Sequence, residues 1–133
     1  MYQSEGKLRA AFVQALRYNK ILAQPIESGS TGLGIPDMFL RTGKHSVWAE
    51  FKNAKYAIQL PYTVPFRPGQ YRWLKDYYSL GGLSLLVIGT PEGIYIFRNE
   101  SIKKQYIKPL ADCCNLFMPT VNGKVFIDWL NLQ

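Results

Sequence analysis

Residues 34–52 read GIPDMFLRTGKHSVWAEFK, two largely apolar runs separated by the polar segment TGKH. Runs of this length on either side of a glycine-containing turn predict a β-hairpin. We expect strands over residues 35–42 and 45–52, joined by Gly43 and Lys44 in a type II′ turn, because a glycine followed by a polar residue suits that turn. The hairpin is the part of the chain from which the fold and the function are inferred.

The length of the turn determines which residues of the two strands face each other. A two-residue loop places Thr42 opposite His45, and counting outward from that pair brings Asp37 opposite Glu50. A four-residue loop gives the same pairing. Directly opposed residues have Cβ atoms about 4.5–5.5 Å apart, where like charges destabilise a sheet. Strand alternation adds Lys52 to the same face, and a shared Mg²⁺, which prefers oxygen ligands, accounts for the two carboxylates.

Each of these residues also has a structural explanation when it is taken alone. Charged side chains on the exposed face of a strand discourage aggregation, and a Pro-Asp pair is a turn signal. The combination of all three on paired strands favours a functional site, provided that no β-bulge shifts the register.

The sequence before the hairpin predicts one helix and one strand. Residues 4–18 carry apolar side chains at helical spacing, and Ser4 is a suitable N-cap. Residues 21–27 predict a strand in which Pro25 favours an edge position. A Gly/Ser-rich loop is expected at residues 28–34.

The sequence after the hairpin completes an α-β-β-β-α-β-β order. We expect a helix over residues 68–80, a strand over 83–89 buried on both faces, a strand over 94–98 and a short helix over 100–107. The helical crossover predicts that strand 83–89 pairs in parallel with the second hairpin strand. The fold class is therefore α/β, a mixed β-sheet flanked by helices.

Size and composition are those of a single globular domain with a basic surface. The chain has 133 residues, with 16 basic against nine acidic side chains, so the net charge is +7 and a polyanion is the natural partner. A basic protein without any nucleic-acid role is the alternative. The longest apolar run is too short for a bilayer, so no membrane partner is expected. The adjacent Cys113 and Cys114 suit a reducing, intracellular compartment.

Two polar side chains head the apolar faces of the predicted helices. Glu5 shares a stripe with Leu8 and Phe12, and Gln70 shares one with Trp73. A first-turn acid can simply complement the helix dipole, and Gln70 could bind a nearby loop. A site at the end of the sheet, near the N-termini of both helices, explains the two together.

These motifs together resemble the PD-(D/E)XK nuclease superfamily. The PD pair at 36–37 is followed by EFK at 50–52, and GIPD at 34–37, WAEFK at 48–52 and RPGQYRWL at 67–74 are similar to the VRR-NUC branch and the related Holliday-junction resolvases. The resemblance covers about residues 4–98, which would form a restriction-endonuclease-like core. Residues 99–133 would be an extension packed on that core.

The resemblance implies phosphodiester hydrolysis with Mg²⁺ or Mn²⁺. It assigns Lys52 to orienting or deprotonating the attacking water, or to stabilising charge on the phosphorane. Gln70 would hold Lys52 or the nucleophile. The metal ligands would be Asp37, Glu50, Glu5 and the backbone carbonyl of Phe51.

DNA is the expected partner, and basic residues around the hairpin and the second helix are the candidate phosphate contacts. Each of them could instead be a solvated surface charge. No base-reading motif is present, so a junction or flap structure is the expected target, and symmetrical junction cutting would favour a homodimer. The alternatives are a restriction or repair nuclease that works with another subunit and a non-catalytic DNA-binding or assembly protein.

Tyr56, Tyr62 and Phe66 could stack on unpaired bases or pack in the core. The candidate phosphate contacts are Arg41, Lys44, Lys55, Arg67 and Arg72.

Overall fold

The computed structural model describes residues 1–26 and 34–133. The predicted Gly/Ser-rich loop at 28–34 lies outside the described residues except for Gly34. The helices are α1 (Glu5–Tyr18), α2 (Gln70–Ser79), α3 (Leu110–Cys113) and α4 (Gly123–Asn131), with a short 3-10 helix at Asn99–Ser101. The strands are β1 (Leu22–Pro25), β2 (Met38–Arg41), β3 (Ser46–Asn53), β4 (Tyr62–Thr63), β5 (Leu83–Thr90), β6 (Gly93–Arg98), β7 (Gln105–Tyr106) and β8 (Leu116–Met118).

Six of the strands form one mixed sheet in the order β1-β2-β3-β5-β6-β8. β3 and β5 are parallel, as the helical crossover predicts, and the other neighbouring pairs are antiparallel. β1 lies at an edge, which suits Pro25 because proline cannot donate a backbone hydrogen bond. Every residue of β5 is buried, as expected for a strand covered on both faces. The predicted α/β class is confirmed.

The hairpin of β2 and β3 has the predicted register. Met38 pairs with Ala49 and Arg41 pairs with Ser46. This is the same pairing that places Asp37 opposite Glu50. The turn type is wrong, however, because Gly43 does not take the positive φ that a type II′ turn requires. Instead, the Thr42 hydroxyl oxygen accepts hydrogen bonds from the N–H groups of Lys44 and His45 and closes the loop.

Alternation along β3 separates two hydrophobic cores. Odd-numbered residues such as Phe51 face α1 and α4, and Phe12 of α1 packs against both Phe51 and Phe126 at ring-centroid distances of 5.3 Å. Even-numbered residues face α2, whose Trp73 ring lies 5.1 Å from that of Trp48. The sheet therefore has a larger core on the α1 and α4 side and a smaller core on the α2 side. Glu50 and Lys52 lie on the α2 side.

Residues 99–133 depart most from the sequence expectations. The predicted helix over 100–107 is wrong, because only the 3-10 turn forms before β7 pairs with β4. Phe126 and Leu130 join the larger core. Phe117 and Val125 do not, since each is more than 40% exposed. No helix in the two described ranges has the length and apolar character to cross a membrane.

Candidate active site

Asp37 and Glu50 meet across the start of the hairpin. Asp37 directly precedes β2, and Glu50 lies in β3 at the position that the register places opposite it. The Phe51 N–H donates to Asp37 Oδ2 at 2.9 Å, so the aspartate side chain is bound to the backbone of the neighbouring strand. Asp37 and Glu50 are 3% and 0% exposed, and two carboxylates buried this deeply require compensation for their charge.

Glu5 completes a group of three carboxylates. It occupies the first position of α1, after Ser4, whose hydroxyl caps the helix by accepting the Lys7 N–H. One carboxylate oxygen from each of Glu5, Asp37 and Glu50 lies within 4.8 Å of the others. Glu5 is the member that solvent reaches. The predicted convergence of the first helix on the hairpin is therefore present.

Glu50 is the least satisfied member of the group. Neither of its carboxylate oxygens has a hydrogen-bond partner among the described residues. Lys52 Nζ lies 3.3 Å from Oε2 as an ion pair, without hydrogen-bond alignment. Burial, reinforced by the neighbouring Asp37 charge and opposed by Lys52, raises the pKa of Glu50 from 4.5 to about 8. At neutral pH the Glu50 carboxyl is therefore largely protonated unless a cation binds beside it.

Lys52 is held in place by the first residue of α2. Its Nζ donates to Gln70 Oε1 at 3.0 Å, and the same oxygen accepts the Arg67 N–H at 2.8 Å. Both side chains are buried, at 3% and 1% exposure. The Phe66 ring centroid lies 5.8 Å from the amine. Gln70 is thus positioned as predicted, on the lysine that the hairpin supplies.

Two guanidinium groups reach the outer oxygen of Asp37. Arg9 Nη1 and Arg67 Nη2 lie 3.9 and 3.8 Å from Asp37 Oδ1. Arg67 was a predicted DNA contact, and Arg9 was missed by the sequence analysis. Its signal was available, because Arg9 follows Glu5 by four positions and so lies on the same helix face.

The donor set fits a divalent cation of the Mg²⁺ type. Mg²⁺ takes oxygen ligands and is commonly bound through one or two carboxylates together with water and substrate phosphate. Here three carboxylates converge, two are buried, and one has no hydrogen bond to either oxygen. A bound cation would stabilise the buried Glu50 carboxylate, whose oxygens accept no hydrogen bond from the described residues. The role of the Phe51 carbonyl as a further ligand stays a prediction.

The remaining predicted DNA contacts are dispersed. Arg41 lies four residues from Asp37, about 13 Å along β2 at about 3.3 Å per residue. Lys44 lies further away, in the turn of the hairpin, where its Nζ donates to the Asn131 carbonyl. Lys55 is exposed just beyond β3. Arg72 binds the Asp76 carboxylate on the surface of α2.

The three aromatic residues near the site differ in exposure. Tyr62 and Phe66 pack against the smaller core, with burial raising the pKa of Tyr62, whereas Tyr56 is 82% exposed. Of the three, the side chain of Tyr56 is the one most accessible to a partner.

A mixed sheet covered by helices, with acids and a lysine grouped on adjacent strands, is the arrangement of a nuclease-like α/β fold. It is similar to the solved structure of Hjc, a Holliday junction resolvase from the archaeal hyperthermophile Archaeoglobus fulgidus. The TM-score is 0.56 at 15% sequence identity, over 75% of this chain and 84% of Hjc. At this identity the likeness shows the fold alone, and it confirms the predicted restriction-endonuclease-like core.

Other comparisons add little. The crystal structure of SSO0001 aligns with a TM-score of 0.40 and 15% identity over 95% of this chain and 58% of that one, which is too low to support an argument. No protein-family model matches the sequence, and the comparison with curated proteins finds no match. The narrower VRR-NUC assignment therefore stays a prediction.

Proposed function

We propose that this protein is a metal-dependent nuclease that hydrolyses phosphodiester bonds in DNA. The observation that carries the proposal is the group formed by Glu5, Asp37 and Glu50, with the Lys52 amine 3.3 Å from Glu50. The similarity in fold to a Holliday junction resolvase supports it. So does the net charge of +7, which suits a polyanionic substrate.

The metal would be held by the three carboxylates. Bound Mg²⁺ or Mn²⁺ would supply charge neutralisation at the phosphate and a lowered pKa for an attacking water. The side chains of this chain fix the geometry in advance, because Asp37 is bound to the Phe51 N–H and cannot swing freely. Fixed charges of this kind need no reorganisation as the reaction proceeds.

Lys52 is better suited to stabilising negative charge than to removing a proton. Its amine is flanked by two acceptors, the Gln70 amide oxygen at 3.0 Å and Glu50 Oε2 at 3.3 Å. An ammonium group has three donors and no acceptor, and Gln70 accepts one of them, so the amine can also donate to a phosphate oxygen. A fixed cation there stabilises the charge that develops at the scissile phosphate.

The proposal is tested with a cleavage panel of duplex, single-stranded, flap and four-way-junction DNA in Mg²⁺, Mn²⁺ or EDTA. We expect cleavage that requires metal and is lost in Asp37→Asn and Lys52→Gln. Asp37→Asn is preferable to Asp37→Ala because its amide oxygen can still accept the buried Phe51 N–H. Lys124→Gln is the matched control, since Lys124 is an exposed lysine on α4 that belongs to neither the site nor the candidate DNA contacts. Native cleavage rates in Asp37→Asn, or in EDTA, would refute the assignment.

The preferred substrate is proposed to be a junction or flap rather than a base sequence. The absence of a base-reading motif in the sequence favours this, as does the similarity in fold to a Holliday junction resolvase. A junction resolvase would be expected to work as a homodimer, which light scattering can test. DNA binding without cleavage in any metal would instead leave a non-catalytic DNA-binding protein.

A further inference from the structure

A basic cleft of about 480 Å³ adjoins the proposed active site. One wall is the beginning and outer face of α2, and the other is the β4 region with Lys104, the residue before β7. Four basic side chains line the cleft, and no acidic side chain does among the described residues. They are Arg67, Arg72, Lys75 and Lys104.

Two of these cations have no carboxylate to neutralise them. Arg72 is paired with Asp76 at 3.0 Å. Lys75 and Lys104 are exposed, and neither has a carboxylate within 4.0 Å in the described parts of the chain. Uncompensated positive charge in a concave surface attracts anionic groups.

Aromatic rings lie between the cations. Lys104 Nζ is 5.2 Å from the Tyr71 ring centroid, and the Phe66 ring lies 5.7 Å from Tyr71 at an angle of 60°. Tyr71 and Lys75 are one helical turn apart and therefore share the face of α2 that borders the cleft. Cations interleaved with aromatic rings are the combination that binds single-stranded nucleic acid, phosphates to the cations and bases to the rings.

The cleft is continuous with the catalytic side chains. Arg67 lines it, and its Nη2 lies 3.8 Å from Asp37 Oδ1. Phe66 also lines it, and its ring is the one nearest the Lys52 amine. A strand whose phosphate lies at the carboxylate group could therefore continue directly into the cleft.

The far wall comes from the segment that follows the predicted core. The Val64 N–H donates to the Lys104 carbonyl at 2.9 Å, and Gln105 Nε2 donates to the Thr63 hydroxyl at 3.2 Å. This pairing of β4 with β7 brings Lys104 over Tyr71. It gives residues 99–106 a part in shaping the substrate site.

We propose that this cleft binds an unpaired strand of DNA next to the scissile phosphate. An intact duplex keeps its bases stacked inside and would present only phosphates to the cleft, so the rings favour an unpaired strand. The placement beside the scissile phosphate rests on the proposed nuclease function, whereas the binding of the strand does not. The protein would thus select DNA with a single-stranded branch or end.

The test measures binding in EDTA, where no metal-dependent cleavage occurs. Fluorescence anisotropy compares a labelled ten-nucleotide oligothymidylate with a blunt duplex, for the native protein, Lys75→Gln/Lys104→Gln and Tyr71→Leu. Lys108→Gln/Lys124→Gln is the charge-matched control for the double lysine variant, because both lysines are exposed and neither lines the cleft. The double lysine variant retains the packing of the smaller core. It keeps the test decisive if Tyr71→Leu, which removes a ring packed there, does not fold.

Two changes are expected for the single strand. Tyr71→Leu should weaken binding about 5- to 100-fold, the range found for loss of one stacking interaction. The double lysine variant should reduce the slope of log affinity against log salt by about 1.4, at about 0.7 per phosphate contact. The affinity of both variants for duplex should stay within about twofold of native, which corresponds to about 0.4 kcal/mol.

Two results would overturn the proposal. Equal weakening for single strand and duplex would make the cleft a general phosphate contact. Weakening no greater than that of Lys108→Gln/Lys124→Gln would remove the cleft from the binding surface. If the cleft variants cleave DNA and keep the native affinity for single strand, only the proposed role of the cleft is refuted. If binding depends on the cleft but no metal supports cleavage, only the nuclease assignment is refuted.

Discussion

Replacing Glu50 with glutamine should stabilise the protein in the absence of metal. Its carboxyl group has a pKa of about 8 in the folded state, above the ordinary value of 4.5. Between these values the folded state retains a proton that the unfolded state releases, so the native protein loses stability as pH rises from about 4.5 to about 8. At about 1.4 kcal/mol per pH unit, this interval corresponds to a destabilisation of up to about 5 kcal/mol above pH 8.

The assay is urea unfolding of native protein and Glu50→Gln in EDTA between pH 5 and 8.5. The variant should be the more stable protein at pH 8.5, and the difference should shrink toward pH 5, where the native carboxyl group is protonated. Asp76→Asn is the control, because Asp76 is an exposed acid paired on the surface. It retains Glu50, so its stability should fall from pH 5 to 8.5 as that of the native protein does.

Adding Mg²⁺ should narrow the difference in stability between the two proteins. A ligand at 100 times its dissociation constant stabilises the folded state by about 2.7 kcal/mol, and Glu50→Gln, lacking one donor, should gain less. A native protein whose stability does not change from pH 5 to 8.5 in EDTA would refute the reasoning. So would a glutamine variant that is less stable at pH 8.5.

Two further predictions concern the support of the site. Gln70→Ala removes the acceptor shared by Lys52 and the Arg67 backbone N–H. It should lower the free energy of unfolding by about 1–3 kcal/mol and should also lower kcat. Gln70→Glu, which keeps an acceptor, should restore part of the activity. Gly34→Ala should destabilise the protein and lower activity, because its φ is +74° and a Cβ there would lie 2.3 Å from the Gly69 carbonyl carbon at the start of α2. Gly43→Ala is its control, with open space around the added carbon, and equal stability of the two variants in thermal denaturation would contradict this account.

The meeting of Asp37 and Glu50 was predictable because it depends on short-range geometry. Once the turn of the hairpin fixes the pairing of Met38 with Ala49, the positions of Asp37 and Glu50 follow from alternation alone. The inward direction of Gln70 likewise follows from helical spacing. Each of these inferences spans fewer than about twenty residues and needs no knowledge of the remaining chain.

The cleft was not predictable, because it depends on contacts between distant parts of the chain. β4 and β7 are two residues each and about forty positions apart, so neither produces an alternating pattern long enough to indicate a strand. The helix expected over 100–107 failed for the same reason. Tyr106 is buried, with its hydroxyl donating to the Ser101 carbonyl and accepting the Lys103 N–H, and this tertiary arrangement overrides the local helical preference.

The hydrogen bond from the Phe51 N–H to Asp37 links the register of the sheet to the geometry of the site. Asp37 Oδ2 accepts the Phe51 N–H, so one oxygen is committed to the backbone of β3 and the other is turned toward Arg9 and Arg67. A slip of one residue would move every side chain of β3 to the opposite face, which would place Glu50 in the larger core and remove the acceptor from Phe51. The burial that makes Glu50 costly without metal therefore also penalises incorrect registers.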